Sequence, residues 1–268
     1  MTVQDINIII AIWGKDIFAL KGETTRNKTI PVVEDFVQVP KEQIKHQRYI
    51  TMTADIFLVD TIPLFLTLRR KISFTMVHHL ADRKDKTIYT AFNEVYIYYT
   101  KRGFEIITLH TDGEIANLQA MIIEHMPGGT TMNLTSSNEN VPEIERRIRV
   151  AKEREICLRH SLPFNSIPRL PLIHIVFVSV KMLNYFPIKV GVSTVYSPKT
   201  IMSIDTLHYN RHLSLKIGQY LQFHDEDTPI NIQAARTKSS ICLVPSGNTK
   251  GGFKFISLHS SNKITIRN

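Results

Sequence analysis

Apolar and polar positions divide this 268-residue chain into stretches of different period. From Ile50 to Val59 almost every position is apolar or β-branched. The turn signal Asp60-Thr-Ile-Pro63 separates this run from a second, Leu64 to Leu68, and a third, Ile72 to Val77, follows the basic Arg69-Arg70-Lys71. Short β-branched runs bounded by turn residues predict three strands of an antiparallel meander. The period then changes, and Ile88, Ala91, Phe92, Val95 and Tyr99 share one face of a helix over 86–102 that Gly103 ends. A strand over Glu105 to His110, a helix from Glu114 to Glu124 and, after Pro127-Gly-Gly129, a strand over Thr130 to Leu134 come next. The polar loop Thr135 to Asn140 opens a further helix. Pro142 suits its first position, and Glu143 and Glu145 lie where the positive end of the helix dipole favours carboxylates.

Three strands, helix, strand, helix, strand, helix is the element order of the ribonuclease H-like fold, a mixed α/β sheet flanked by helices, and the same string can be wound in other ways. Beyond it, Pro163, Pro168 and Pro171 punctuate the chain before a helix from about Leu172 to Tyr185, apolar almost all round and so packed on the core. Residues 187–212 read as irregular. Strand-like runs at Ile217 to Phe223, Ser240 to Val244, Phe253 to His259 and Lys263 to Ile266 indicate a small β-barrel or sheet. The expected division is therefore an N-terminal connector (1–48), an α/β core (49–186), a linker (187–212) and a small β module (213–268).

Composition narrows the function classes. With 43% hydrophobic and 21% charged residues the chain is a folded protein rather than a disordered one. Its 33 Lys and Arg against 24 Asp and Glu leave a net charge of +9, which fits a polyanionic partner such as nucleic acid, although ordinary basic proteins share it. Two cysteines, Cys157 and Cys242, in unrelated contexts exclude a multi-cysteine zinc module or a disulfide framework. The apolar Ile6 to Trp13 is far shorter than a bilayer span and lacks the basic residues of a secretory signal, and no membrane association is expected.

Candidate chemistry rests on three acids. Asp55 lies in a strand apolar on both faces, where an ionised carboxylate is costly unless paired or metal-bound; an arginine or backbone donors would satisfy it equally well, and Asp60 is a rival. Asp112 ends a strand before Gly113 and reads alone as a cap or turn residue, with Glu114 as its neighbouring alternative. Glu145 sits on the helix, where Arg149 can pair with it as Arg147 can with Glu143. In a ribonuclease H-like sheet the first and fourth strands are neighbours. Asp55 and Asp112 would then converge, with Glu145 presented from the side. Such a site holds two hard cations, Mg²⁺ or Mn²⁺, for in-line phosphoryl transfer. Arg146, Arg147, Arg149, Lys152 and Arg154 would contact DNA phosphates, supplying affinity rather than sequence choice.

A further set of residues carries a family resemblance: Gly14-Lys-Asp-Ile17 with Leu20-Lys-Gly-Glu-Thr-Thr25, Ala54-Asp-Ile-Phe-Leu-Val59 with Ile62-Pro-Leu-Phe65, and Thr111-Asp-Gly-Glu114. Val141-Pro-Glu-Ile-Glu-Arg-Arg-Ile-Arg149, Leu162-Pro-Phe164, Met182-Leu-Asn-Tyr-Phe-Pro187 and Pro245-Ser-Gly-Asn248 complete it. Together they resemble the integrase region of copia-type retrotransposon polyproteins, in a divergent protist-like group. The resemblance implies Asp55, Asp112 and Glu145 as catalytic and metal-binding triad. It also implies a Src-homology-3-like barrel after the core, and metal-dependent processing of element ends and their joining to target DNA by a homo-oligomer. An upstream zinc module and a downstream reverse transcriptase are expected in a full polyprotein, and the place of action is the nucleus or a cytoplasmic particle. The sequence departs from the family in two places: only 32 residues separate the second and third acids, a few fewer than usual, and Gly113-Glu114 replaces the usual Asn-Gly-Gly. A catalytically decayed nucleic-acid-binding or assembly fragment is the alternative reading.

Overall fold

A computed structural model describes residues 2–14, 16–18, 21, 45, 47–125, 130–134, 142–189, 191–203, 208, 212–224, 235–246, 252–259 and 264–267. In chain order the elements are α1 (Val3–Trp13), β1 (Tyr49–Val59), β2 (Ile62–Arg69), β3 (Phe74–His79), α2 (Asp85–Thr100) and β4 (Glu105–Thr111). They continue with α3 (Leu118–His125), β5 (Thr131–Leu134), α4 (Pro142–His160), α5 (Arg169–Tyr185), α6 (Pro198–Ser203), β6 (Tyr220–His224), β7 (Thr237–Pro245), β8 (Phe253–Ser257) and β9 (Ile264–Arg267). The predicted Pro127–Gly129 break and the 135–140 loop lie outside the described residues. The chain divides into two compact units, residues 34–207 and residues 1–33 with 208–268.

The larger unit is built on a five-stranded mixed sheet ordered β3-β2-β1-β4-β5. β1, β2 and β3 form an antiparallel meander, while β4 and β5 run parallel to β1. β1 and β4 are thus neighbours, as ribonuclease H-like winding requires. The hairpin between β1 and β2 turns on Asp60 and Thr61, both at positive φ (44° and 71°), the geometry that matches the twist of two flanking strands.

One face of the sheet carries the main core. Ile50, Met52 and Ala54 of β1 pack there with Phe65, Ile106 and Leu109, under the predicted face of α2: Ile88, Ala91, Phe92, Val95 and Tyr99. Arg69, at the end of β2, is 2% exposed. Its guanidinium lies 4.4 Å from the Phe104 ring centroid and donates to the Gln47 carbonyl and, at 3.0 Å, to Met202 Sδ. Burial lowers its pKa to about 10. Met202 belongs to α6, a helix within the stretch read as irregular; Ile201 and Met202 are buried in the same core. Six residues are too few for a helical period to stand out.

On the opposite side lie α4 and α5. α5 begins at Arg169, three residues before the predicted start, because Pro171 falls in its first turn, where no intrahelical N–H partner is needed. Near the other end Asn184 is buried and binds both backbone groups of Thr75 on β3: the Thr75 N–H donates to Asn184 Oδ1 (2.9 Å), and Asn184 Nδ2 donates to the Thr75 carbonyl (2.7 Å). α4 buries the stripe Ile144, Ile148, Ala151 and Glu155. Glu155 is 3% exposed, and its Oε1 has no hydrogen-bond partner among the described residues.

Burial pushes the Glu155 pKa up; Arg159 and His160 oppose that shift and Asp60 adds to it. A folded-state pKa above the unfolded one means that the native state binds more protons just above the ordinary carboxylate range, so this group costs stability as pH rises through that window. Glu155→Gln is expected to flatten that loss and to raise stability at neutral pH by about 1 kcal/mol. Thermal melts of both proteins across the acidic range check this; a variant that melts lower at neutral pH would show that the carboxylate has a favourable partner.

The smaller unit holds a four-stranded antiparallel sheet ordered β6-β7-β8-β9, at the four predicted runs. Its core is Cys242, Phe253 and Phe255 with Leu215 and Leu221, and burial raises the Cys242 thiol pKa to about 12. Among the described residues no strand pairing closes this sheet into a barrel. α1 belongs to the same unit and starts with a capping box. The Asp5 N–H donates to Thr2 Oγ1 (3.2 Å), and the Thr2 N–H donates to Asp5 Oδ2 (2.6 Å). This reciprocal cap gives the apolar N-terminal run its helix. No helix among the described residues is long and apolar enough to cross a membrane.

Candidate metal and nucleic-acid site

β1 and β4 set the two aspartates. In their parallel register Thr53 pairs with His110 and Ala54 with Thr111. Continued one step further, that register would set Asp55 opposite Asp112, the residue after the last position of β4. Neighbouring strands lie about 4.8 Å apart, and residues in register share a face. Both aspartates are half-buried. The Ile56 N–H donates to Asp55 Oδ1 at 2.6 Å. Asp112 is followed by a short 3-10 turn, Gly113–Ile115, whose Ile115 N–H donates to the Asp112 carbonyl at 3.4 Å. The helix predicted from Glu114 begins instead at Leu118. Like charges set side by side repel, and hard oxygen donors with a shared negative charge suit a divalent cation.

α4 lies over this face and runs in the direction of β1. Its opening turn meets the β2–β3 turn: Arg70 Nε donates to Glu143 Oε2 (2.6 Å) and Arg70 Nη2 to Glu143 Oε1 (3.0 Å). Its last turn meets the far end of β1, where Arg159 Nη1 donates to Asp60 Oδ2 (2.7 Å). Glu145, Lys152 and Arg159 are spaced by sevens and so share one flank of the helix. Lys152 Nζ sits 5.7 Å from the Phe57 ring centroid. One heptad is about 10.5 Å of helix, or about three residues of strand. Moving back that far from Phe57 puts Glu145 level with the middle of β1, around Asp55.

Level is not convergence. Glu145 is exposed, and among the described residues no three His, Cys, Asp or Glu side chains are gathered where they could hold a metal ion. The register, continued past its last pair, would bring the two aspartates to one face, and the exposed glutamate lies on the helix flank. Of the rival acids, Asp60, the alternative to Asp55, is engaged by Arg159 beyond the end of β1, and Glu143, the alternative to Glu145, is held by Arg70.

The basic residues sort by what they touch. Arg146, Arg149 and Arg154 are exposed, and Arg149 pairs with Glu153 at 4.0 Å rather than with Glu145. Arg147 turns inward and donates to the Ser73 carbonyl at 2.9 Å, and burial lowers its pKa. Lys152 lies on Phe57. The outward arginines therefore form the exposed cationic edge of α4, while Arg147 and Lys152 dock the helix.

Sequence reading missed the cluster of Arg70, Glu143 and His110. Arg70 holds the Glu143 carboxyl below its usual range. Burial, with Arg70 adding, holds His110 low, and Glu143 opposes. Glu143 lies 73 positions after Arg70, and no local pattern links them.

No family model and no curated protein matches the sequence. Among solved structures, the catalytic core domain of BIV integrase in crystal form I matches at 14% identity. The match covers 57% of this chain and 92% of that one, with a TM-score of 0.39. A superposition this loose carries neither fold nor function to the present chain.

Proposed function

We propose that this chain is a retrotransposon integrase core of copia type, a polynucleotidyl transferase that trims element ends and joins them to target DNA. Asp55 and Asp112, with Glu145 as third acid, would hold the two divalent cations, Mg²⁺ or Mn²⁺. The cations supply Lewis-acid activation of the attacking and leaving oxygens. The observation behind this reading is the β1–β4 register, which, continued one step beyond its last pair, Ala54 with Thr111, would set the half-buried Asp55 and Asp112, 57 positions apart in sequence, on one face. The heptad row that ends in Arg159 supports Glu145 over Glu143 as the third acid, since Glu143 is committed to Arg70.

Arg146, Arg149 and Arg154 carry phosphates of the bound DNA, and the four-stranded sheet of the smaller unit is the barrel module that follows such cores. Homo-oligomer assembly on two element ends, within a nucleus or retroelement particle, completes the proposal. The test is strand transfer of a labelled duplex into plasmid DNA with Mg²⁺ and with chelator; joined product only with the metal supports it.

The separation of Glu145 from the aspartates favours one other reading, a DNA-binding remnant without catalysis. In that case binding persists in chelator and no condition yields joined product. Under both readings the arginines act by counterion release. Arg149→Ala is expected to lower the slope of log affinity against log salt by about 1, uniformly across DNA sequences, measurable by fluorescence anisotropy. An unchanged slope would remove Arg149 from the DNA-binding edge.

A further inference from the structure

We infer that the end of the larger sheet where β1 and β4 begin is a binding surface for single-stranded nucleic acid, separate from the α4 edge and independent of any metal. Its first part is Tyr49, the opening residue of β1, which is 60% exposed. Arg48 lies over this ring, 5.9 Å from the centroid, and its Nε donates to Glu105 Oε1 on β4 at 3.1 Å. The Glu105 N–H donates in turn to the Arg48 carbonyl at 2.9 Å. Ring and guanidinium are thus fixed at the start of the parallel pair. The second part lies across the end of the sheet, on the face covered by α2. There Tyr98 stacks on Phe74, with centroids 5.7 Å apart and an interplanar angle of 6°. The Arg102 guanidinium lies 3.7 Å from the Tyr98 ring centroid and donates to the Tyr98 carbonyl at 3.0 Å.

Charge at this end is unbalanced. Among the described residues, five exposed cations, Arg48, Arg70, Lys71, Lys101 and Arg102, stand against two carboxylates, Glu105 and Glu143, each held by one of the arginines. The Arg70 N–H donates to the Thr51 carbonyl at 3.3 Å, which ties the turn bearing Arg70 and Lys71 to the same end of β1. Lys71, Lys101 and Arg102 are the positive excess. Cations after α2 also suit the negative end of its dipole, but a dipole requires no ring in water at Tyr49. Duplex DNA keeps its bases stacked on one another, and phosphate contacts alone need no exposed ring. Aromatic and guanidinium surfaces set among cations fit a single strand, whose bases are open to stacking and whose phosphates track the charge.

The experiment is a fluorescence-anisotropy titration of the full chain, in chelator, with oligo-dT, oligo-rU and a DNA duplex of the same length, beside thermal melts. Tyr49→Ala is expected to weaken single-strand binding about fivefold or more without changing the slope of log affinity against log salt, because it removes stacking and no charge. Lys101→Ala is expected to lower that slope by about 0.7. Tyr49→Phe keeps the ring and should bind as the wild type does. Tighter binding of oligo-rU assigns the surface to RNA through the 2′-hydroxyl, and equal or tighter binding of oligo-dT assigns it to single-stranded DNA. Single-strand binding that is unchanged in Tyr49→Ala, or duplex binding that weakens equally, overturns the inference. If Arg149→Ala weakens binding where Tyr49→Ala does not, the α4 edge stands and this surface falls. Should Tyr49→Ala fail to fold, the slope decides: a folded variant carrying both Lys71→Ala and Lys101→Ala with the wild-type slope overturns the inference.

Discussion

Asp55→Asn is expected to leave the fold intact and to reduce metal-dependent strand transfer by about three orders of magnitude or more. The amide is the same size as the carboxylate and its oxygen can still accept the Ile56 N–H. What it loses is one negative charge of the proposed pair with Asp112, and with it charge that would compensate a divalent cation. Glu145→Gln is expected to act as strongly, although this residue is exposed and unnecessary for packing. Joined product on a gel, beside matching circular dichroism and melting curves, reads both. Activity near wild type in either folded variant would end the triad assignment.

Asn184→Leu is expected to destabilise the larger unit by about 3 kcal/mol. The side-chain amide stands in for a neighbouring strand, binding both the N–H and the carbonyl of Thr75 at the outer edge of the sheet. Leucine fills the volume but leaves two buried backbone groups unpaired, each costing about 1–3 kcal/mol. Denaturant unfolding should show a lower midpoint with an unchanged slope. A shift below about 1 kcal/mol would mean that water replaces the amide.

What was legible in the sequence follows from period and burial. The three-strand meander, the α2 face from Ile88 to Tyr99 and the order of elements could be read because each buries one continuous apolar face. Asp55 stood out for the same reason, a charge in an apolar run. Boundaries set by a few residues were harder. The third strand begins at Phe74 rather than Ile72 because Ser73, at φ 59°, still belongs to the turn. The six residues of α6 show no period, and α1 is fixed by one reciprocal cap. The partners of α4 could not be read at all: Arg147 was paired on paper with Glu143, four residues away, whereas the folded chain gives Glu143 to Arg70 and Arg147 to a backbone carbonyl. Helix spacing offers only local partners, and the sheet supplied a distant one.

The central strand has one more consequence. Among the described residues, β1 alone in the larger sheet has an antiparallel neighbour on one side and a parallel neighbour on the other. The hairpin with β2 can form early, closing a loop of two residues, whereas pairing with β4 must wait for a crossover through β3 and α2, at the entropic cost of a long loop. On the proposed site, the meander by itself carries only one of the two aspartates, and the pair is complete only once the parallel half of the sheet has closed.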